Sequence, residues 1–232
     1  MRFEFKQFGL EHGESAMKIG FDSVLLGSWA DAQMGESVLD IGAGCGILGF
    51  MLTQKAANLR LTSLEKDPLA AQECKRNGAQ MPWSINHEVV CADFKEFAGN
   101  VLEKFDVLIS NPPYFEANGQ IEGKEREQAR QQSGLSLEDL FRGAAQLAHN
   151  NSVFFLVFPS LSSAEVRQAG RTFGWWCESE IEVKNKSTKP SKRTLWKWVR
   201  NPCELRFSVL LVNDESGGKS MEYRNLVDPF LL

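Results

Sequence analysis

The chain has 232 residues, 43% hydrophobic and 24% charged, with 26 Lys and Arg against 30 Asp and Glu for a formal charge of −4. That balance excludes a disordered or fibrous chain, and at this length one α/β domain with a sizeable core is the expectation. The longest apolar run, Val153 to Phe158, is far too short to span a bilayer, and the opening MRFEFKQFGLEHGES lacks an export signal's apolar stretch. A cytoplasmic protein without a membrane partner is therefore expected. Five cysteines without a CxxC pair argue against a disulfide framework or zinc ribbon, and scattered His12, His87 and His149 argue against a metal site.

Residues 1–35 carry the FEFKQF alternation and a Gly-bounded helical candidate, Ser23 to Ala30. They read as an N-terminal cap on a single domain, 1–232, whose core is 36–232. From residue 36 onward short β-rich runs alternate with helix-period segments, the pattern of βαβ units and a mostly parallel sheet. Seven strands are predicted, at 36–41, 60–65, 86–91, 105–110, 152–158, 177–184 and 205–212. Asp67 followed by Pro68 starts a helix that runs toward Gly78, and Ser136 with Asp139 starts another that ends near Ala148. Only a basic stretch joins the last two strands, so an antiparallel pair is predicted at that sheet edge.

Directly after the first of these strands stands Asp40-Ile41-Gly42-Ala43-Gly44-Cys45-Gly46. Glycines there let the backbone turn sharply into a helix and lie flat against a nucleotide-like ligand. The dinucleotide fingerprint needs glycine at 47, where Ile47 stands, so a pyrophosphate-gripping site is disfavoured. The pattern D-x-G-x-G-x-G resembles motif I of the class I S-adenosylmethionine-dependent methyltransferases. That resemblance implies a Rossmann-like fold, S-adenosylmethionine as cofactor, and contacts from Asp40, Gly42, Gly44 and Gly46. It makes Glu65, with Lys66 beside it, a candidate for the ribose hydroxyls, and Asp93, with Phe94 beside it, a candidate for the adenine amino group.

The fourth predicted strand runs into Asn111-Pro112-Pro113-Tyr114. Two prolines stiffen the turn and remove donors, leaving an acceptor-rich pocket at the carboxyl edge of the sheet. The Asn111 side-chain oxygen and the Pro112 carbonyl can each accept one hydrogen of a planar NH2 group, and Tyr114 can stack on its plane. After motif I, this tetrapeptide resembles the amino-methyltransferases.

MKIGFDSVLLGSWA, VLDIGAGCGILGFML, SNPPYF and EREQARQQSGLSLEDL together resemble the bacterial tRNA1(Val) (adenine(37)-N6)-methyltransferase family over nearly the whole chain. The resemblance implies methyl transfer to N6 of adenine 37 in a valine tRNA, with Lys18 and Asp22 near the cofactor. Phe21 stands where a smaller polar residue is expected.

Residues 184–200, KNKSTKPSKRTLWKWVR, hold seven cations and no acid, so this window is +7 and the rest of the chain sums to −11 against the total of −4. Lys189, Lys192, Arg193, Trp196 and Lys197 are candidate tRNA contacts on this basic edge, and Arg126 and Arg130 are candidates just beyond the NPPY turn. On a strand, Trp196 and Trp198 would share one face and Lys197 the other. The tryptophans either stack on bases or belong to the core. Glutamine methylation of a translation release factor uses the same NPPY logic, and a non-catalytic RNA-binding protein on this fold is a third reading. The sequence leaves the oligomeric state open, with a monomer favoured.

Overall fold

The computed structural model describes residues 1–113 and 135–232. It opens with a short antiparallel pair, β1 (Arg2–Glu4) and β2 (Gly9–Glu11), followed by α1 (Phe21–Trp29). The alternating part contains β3 (Ser37–Ile41), α2 (Ile47–Lys55), β4 (Arg60–Glu65), α3 (Pro68–Ala79), β5 (Asn86–Cys91), α4 (Phe94–Asn100) and β6 (Phe105–Ser110). After the undescribed stretch come α5 (Leu137–Gln146), β7 (Ala148–Pro159), α6 (Ser163–Thr172), β8 (Trp176–Lys184), β9 (Arg193–Val199), β10 (Arg206–Leu211) and α7 (Met221–Val227).

The main sheet has eight strands in the order β10-β8-β9-β7-β6-β3-β4-β5. β7, β6, β3, β4 and β5 are parallel neighbours, as strands joined through crossover connections can be. The seven predicted strands are all present, and β9 is the additional one. It runs antiparallel to both β7 and β8, whereas β8 and β10 are parallel, which corrects the antiparallel pairing expected for 177–184 with 205–212. The reversal of β9 explains why. Val199 pairs with Trp176, so β9 returns the chain to the start of β8, and a short loop then sets β10 beside β8 without a crossover helix.

Two apolar layers cover the sheet. One holds Val24, Leu25 and Leu26 of α1, much of α2, Leu195 of β9 and Tyr223 of α7, together with Phe5, Phe8 and Leu10. The other holds Phe94, Leu140, Phe141, Val166, Trp175, Trp196 and Trp198. Helix starts follow their caps: the Asp67 carboxylate accepts from Leu69 N and Ala70 N, both at 2.9 Å, and Ser136 Oγ accepts from Asp139 N at 3.0 Å. Among the described residues, no helix is long and apolar enough to cross a membrane, and no group of three or more His, Cys, Asp or Glu could hold a metal ion.

Candidate active site

The glycine loop leaves β3 and lies across the end of β4, where Gly42 N and Ala43 N donate to Leu64 O at 2.9 and 3.0 Å. Gly46 has φ +88°, and a Cβ on it would lie 2.3 Å from the Phe50 ring and 2.8 Å from Cys74 Sγ, so only glycine fits. Gly42, with φ +71°, faces open space instead, as a floor for a flat ligand should. Glu65 Oε2 accepts from Gly44 N at 2.9 Å and Oε1 accepts from Asp67 N at 2.9 Å, joining the loop to the start of α3.

Asp40 lies beneath this loop, fully buried. Its Oδ2 accepts from Gly49 N at 3.0 Å in the first turns of α2, while Oδ1 has no partner among the described residues. Burial pushes its carboxyl up to about 7, against the Gly49 N–H and with the Glu65 charge adding to the rise. Asp40 supports the loop and α2 from below.

An open cleft lies above the loop, lined among others by Lys18, Ser23, Gly42, Gly44, Leu48 and Asn111. Asn111 is only 8% exposed. Its Nδ2 donates to Ser23 Oγ at 2.9 Å, and its Oδ1 has no hydrogen-bond partner among the described residues. The start of the Asn-Pro-Pro segment is held in place because Ser110 Oγ donates to Ile41 O at 2.9 Å, tying the ends of β6 and β3 together. Pro112 is buried and Pro113 exposed; Tyr114, Arg126 and Arg130 lie outside the described residues.

The structure brings Lys18, Gly42, Gly44 and Asn111 to the cleft lining, ties Glu65 to Gly44, places Gly46 beneath the loop against Phe50 and Cys74, and sets others apart. The Lys18 ammonium donates to Gly13 O at 2.6 Å and Ser15 O at 3.0 Å, closing its own turn at the cleft wall. Asp22 is not part of the cleft lining; it pairs with Arg193 at 2.7 Å. Phe21 stacks on Tyr223 with centroids 6.1 Å apart. Lys66 is exposed at the end of β4. Asp93 caps α4, accepting from Lys95 N at 2.8 Å. The Phe94 ring is turned into the core, where a Cβ on Gly143 would come within 2.5 Å of it, so its side chain is not beside a ligand as expected.

The structure also adds residues. Glu73, 2% exposed, accepts from Glu14 N at 2.9 Å, Ser15 N at 3.2 Å and Ser15 Oγ at 2.8 Å. Burial alone would raise this carboxyl; the donors of Glu14, Ser15 and Gly13 hold it below the usual range. One turn on, Asn77 Nδ2 donates to Glu11 O at 2.8 Å and Cys45 O at 2.9 Å. Thus α3 straps residues 11–15 to the glycine loop. Two polar residues on the buried face Ala70-Glu73-Cys74-Asn77 were the available signal.

At the basic edge, Trp196 and Trp198 are 0% and 1% exposed, stacked on each other at 5.5 Å, with Trp198 edge-on to Phe141 at 5.2 Å. Their core reading holds, and the proposed base-stacking by Trp196 is corrected: β9 is an interior strand. Lys197 pairs with Glu178 at 2.6 Å and Lys184 with Glu182 at 3.4 Å, while Arg200 lies over the Trp175 ring at 4.8 Å. Lys186, Lys189 and Lys192, on the loop between β8 and β9, are exposed and form no ion pair among the described residues.

A glycine loop after the first core strand, acids at the ends of the next two and an Asn-Pro-Pro segment after the fourth, on this sheet, define a class I S-adenosylmethionine-dependent methyltransferase. The methyltransferase small domain family matches residues 15–153. The tRNA1(Val) (adenine(37)-N6)-methyltransferases of Bacteroides fragilis and Yersinia enterocolitica are 34% and 32% identical, each over 99% of this chain and 97% and 92% of their own length. The chain belongs to that methyltransferase family. A crystal structure of a predicted O-methyltransferase from Agrobacterium tumefaciens shares the fold, with TM-score 0.69 and 20% identity over 90% of this chain and 96% of that one.

Proposed function

We propose that the protein methylates N6 of adenine 37 in tRNA1(Val), with the base turned out of its loop into the cleft beside Asn111. The observation that carries the reading is the buried Asn111 Oδ1, to which no described residue donates. Leaving such an acceptor unmade costs about 1–3 kcal/mol, a cost removed when an N–H arrives. A planar NH2 supplies one hydrogen to Oδ1 and the other to the Pro112 carbonyl.

The residues present fit S-adenosylmethionine. The loop offers a flat glycine backbone at Gly42, and Glu65 stands half-buried at the strand end with lone pairs left to accept hydroxyls. Asp93 stands at the end of the neighbouring strand. Bound there, the cofactor supplies an electrophilic methyl group. Asn111 and Pro112 fix the amine nitrogen and turn its lone pair, so alignment and electrostatics supply the rate. The proton leaves to water after transfer, and no side-chain base is needed.

The exposed loop lysines Lys189 and Lys192 serve as phosphate contacts, and Arg126 and Arg130 belong to the same proposed interface. Such an enzyme works in the cytoplasm, where tRNA is. Incubation with methyl-labelled cofactor and total tRNA, followed by mapping of the label, tests the reading. Label at adenine 37 of tRNA1(Val) is the expected result; label on a protein glutamine or on another base overturns it.

A further inference from the structure

We propose that Ser23 is a positioning residue that presents the acceptor end of Asn111 to the substrate amine. The proposal rests on the reading of Asn111 given above. A primary amide occupies nearly the same space in two orientations related by a flip, but one offers a carbonyl oxygen and the other two N–H donors. An incoming NH2 is held by the first and opposed by the second. The side chain therefore has to be fixed at the far end.

Ser23 does this. Asn111 Nδ2 donates to Ser23 Oγ at 2.9 Å, Oδ1 is left unpaired among the described residues, and both residues line the same cleft. Each residue is 8% exposed, so water does not replace the bond readily. Among the described residues, no other side chain bonds the Asn111 amide. The serine hydroxyl can donate as well as accept, so it does not forbid the flip. It holds the amide plane and gives Nδ2 a partner in the one orientation that leaves an acceptor facing the amine. Without it, Nδ2 becomes a buried donor in search of a partner, and nothing among the described side chains holds the amide plane.

The serine is itself rigidly placed. It sits in the first turn of α1, between Asp22, which is ion-paired to Arg193, and Val24 and Leu25, which are buried in the core. A hydroxyl on a packed helix holds its neighbour more accurately than one on a loop.

The test uses the full chain, tRNA substrate and S-adenosylhomocysteine as binding probe. Ser23→Ala should lower kcat about tenfold, leave S-adenosylhomocysteine affinity within about twofold by calorimetry, and cost little further in an Asn111→Ala background. Ser23→Thr and Ser23→Val form an isosteric pair in which only threonine keeps the acceptor. The Thr variant should exceed the Val variant in kcat by a similar factor, a comparison that cancels any effect of added bulk. Wild-type kcat in Ser23→Ala alongside inactive Asn111→Ala overturns the role of Ser23 alone. So do equal rates for the Thr and Val variants, or fully additive losses in the double mutant. Undiminished kcat in Asn111→Ala overturns the reading of Asn111 itself.

Discussion

Arg193 Nε and an Asp22 carboxylate oxygen meet at 2.7 Å although 171 positions separate them, and the side chains are only 17% and 18% exposed. The pair fastens the start of β9 to the first turn of α1. Both residues were candidate ligand contacts by sequence, and their mutual bond gives them a shared structural task. Arg193→Ala and Asp22→Ala should each destabilise the fold by about 1–2 kcal/mol, with a coupling near ~1 kcal/mol in the double mutant. Denaturant midpoints of the four proteins measure this; simple additivity would show that the pair does not act as a unit.

Lys189 and Lys192 should behave differently, since they lie exposed on the loop between β8 and β9 and their side chains form no ion pair among the described residues. Lys189→Ala with Lys192→Ala should leave unfolding unchanged while weakening tRNA binding. Removing one lysine from a phosphate should flatten the plot of log affinity against log salt by about 0.7 to 0.9, so the double variant should flatten it by about 1.5. Filter binding across a salt series reads the slope. An unchanged slope would remove these lysines from the interface.

Trp198 gives the opposite expectation, a large stability effect without a specific RNA effect. It is 1% exposed, packs on Phe141 and Trp196, and fills space so closely that a Cβ on Gly170 would come within 2.5 Å of its ring. Trp198→Ala should cost about 3–5 kcal/mol, and Gly170→Ala about 1–3 kcal/mol by overpacking. Thermal unfolding of the two variants is the check. A drop in tRNA affinity in Trp198→Ala at a temperature where it stays folded would contradict the core role.

These contrasts also show what was legible before the fold was known. The five parallel strands β3 to β7 could be read because short β-rich segments with apolar residues at their centres alternate with helix-period segments, and Asp67-Pro68 and Ser136-Asp139 cap helices where they were expected to. β9 was hidden because its cations look like a solvated segment. Their acidic partners, Asp22 and Glu178, come from other elements, and their neutralisation is what lets an RTLWKWV strand sit inside a sheet. Asn111 and the glycines were visible because each stands in a short motif directly after a predicted strand, Asn-Pro-Pro-Tyr and Asp-x-Gly-x-Gly-x-Gly. Ser23 and Glu73 were not, because each is one polar residue in a helix whose partner lies 88 or 58 positions away.

Glu73 is the test of the strap that forms the cleft wall. Its carboxylate holds Glu14 N, Ser15 N and Ser15 Oγ, and Lys18 closes the same turn onto Gly13 and Ser15. Glu73→Ala should free residues 13–15 and weaken S-adenosylhomocysteine binding by about tenfold, with a smaller effect on kcat at saturating cofactor. Calorimetry together with saturation kinetics separates the two. Since its donors hold this carboxyl below the usual range, its stabilising contribution is present above the unfolded value and fades as pH falls through the folded one. Intact cofactor affinity in the variant would show that the wall stands without the strap.

Asp40 should impose the reverse pH dependence. Its carboxyl titrates near 7 in the fold against 3.8 in the ordinary state, because burial disfavours the charged form. Between those values the folded protein keeps a proton that the unfolded chain has released. The contribution of this one group to stability therefore falls as pH rises through that window and is level above it. Asp106 runs the other way: burial alone would raise it, but Ser37 and His149 hold it low, so its contribution fades only in acid. The wild-type profile mixes these opposing slopes, and a substitution at Asp40 separates them. Asp40→Asn keeps an oxygen for Gly49 N and abolishes the titration. Measured by urea unfolding from about pH 4 to about pH 7.5, stability of the Asn variant relative to wild type should rise with pH, by on the order of 2–4 kcal/mol across the range. Parallel profiles would mean that Asp40 is ionised throughout, with its buried charge held by the loop and by α2.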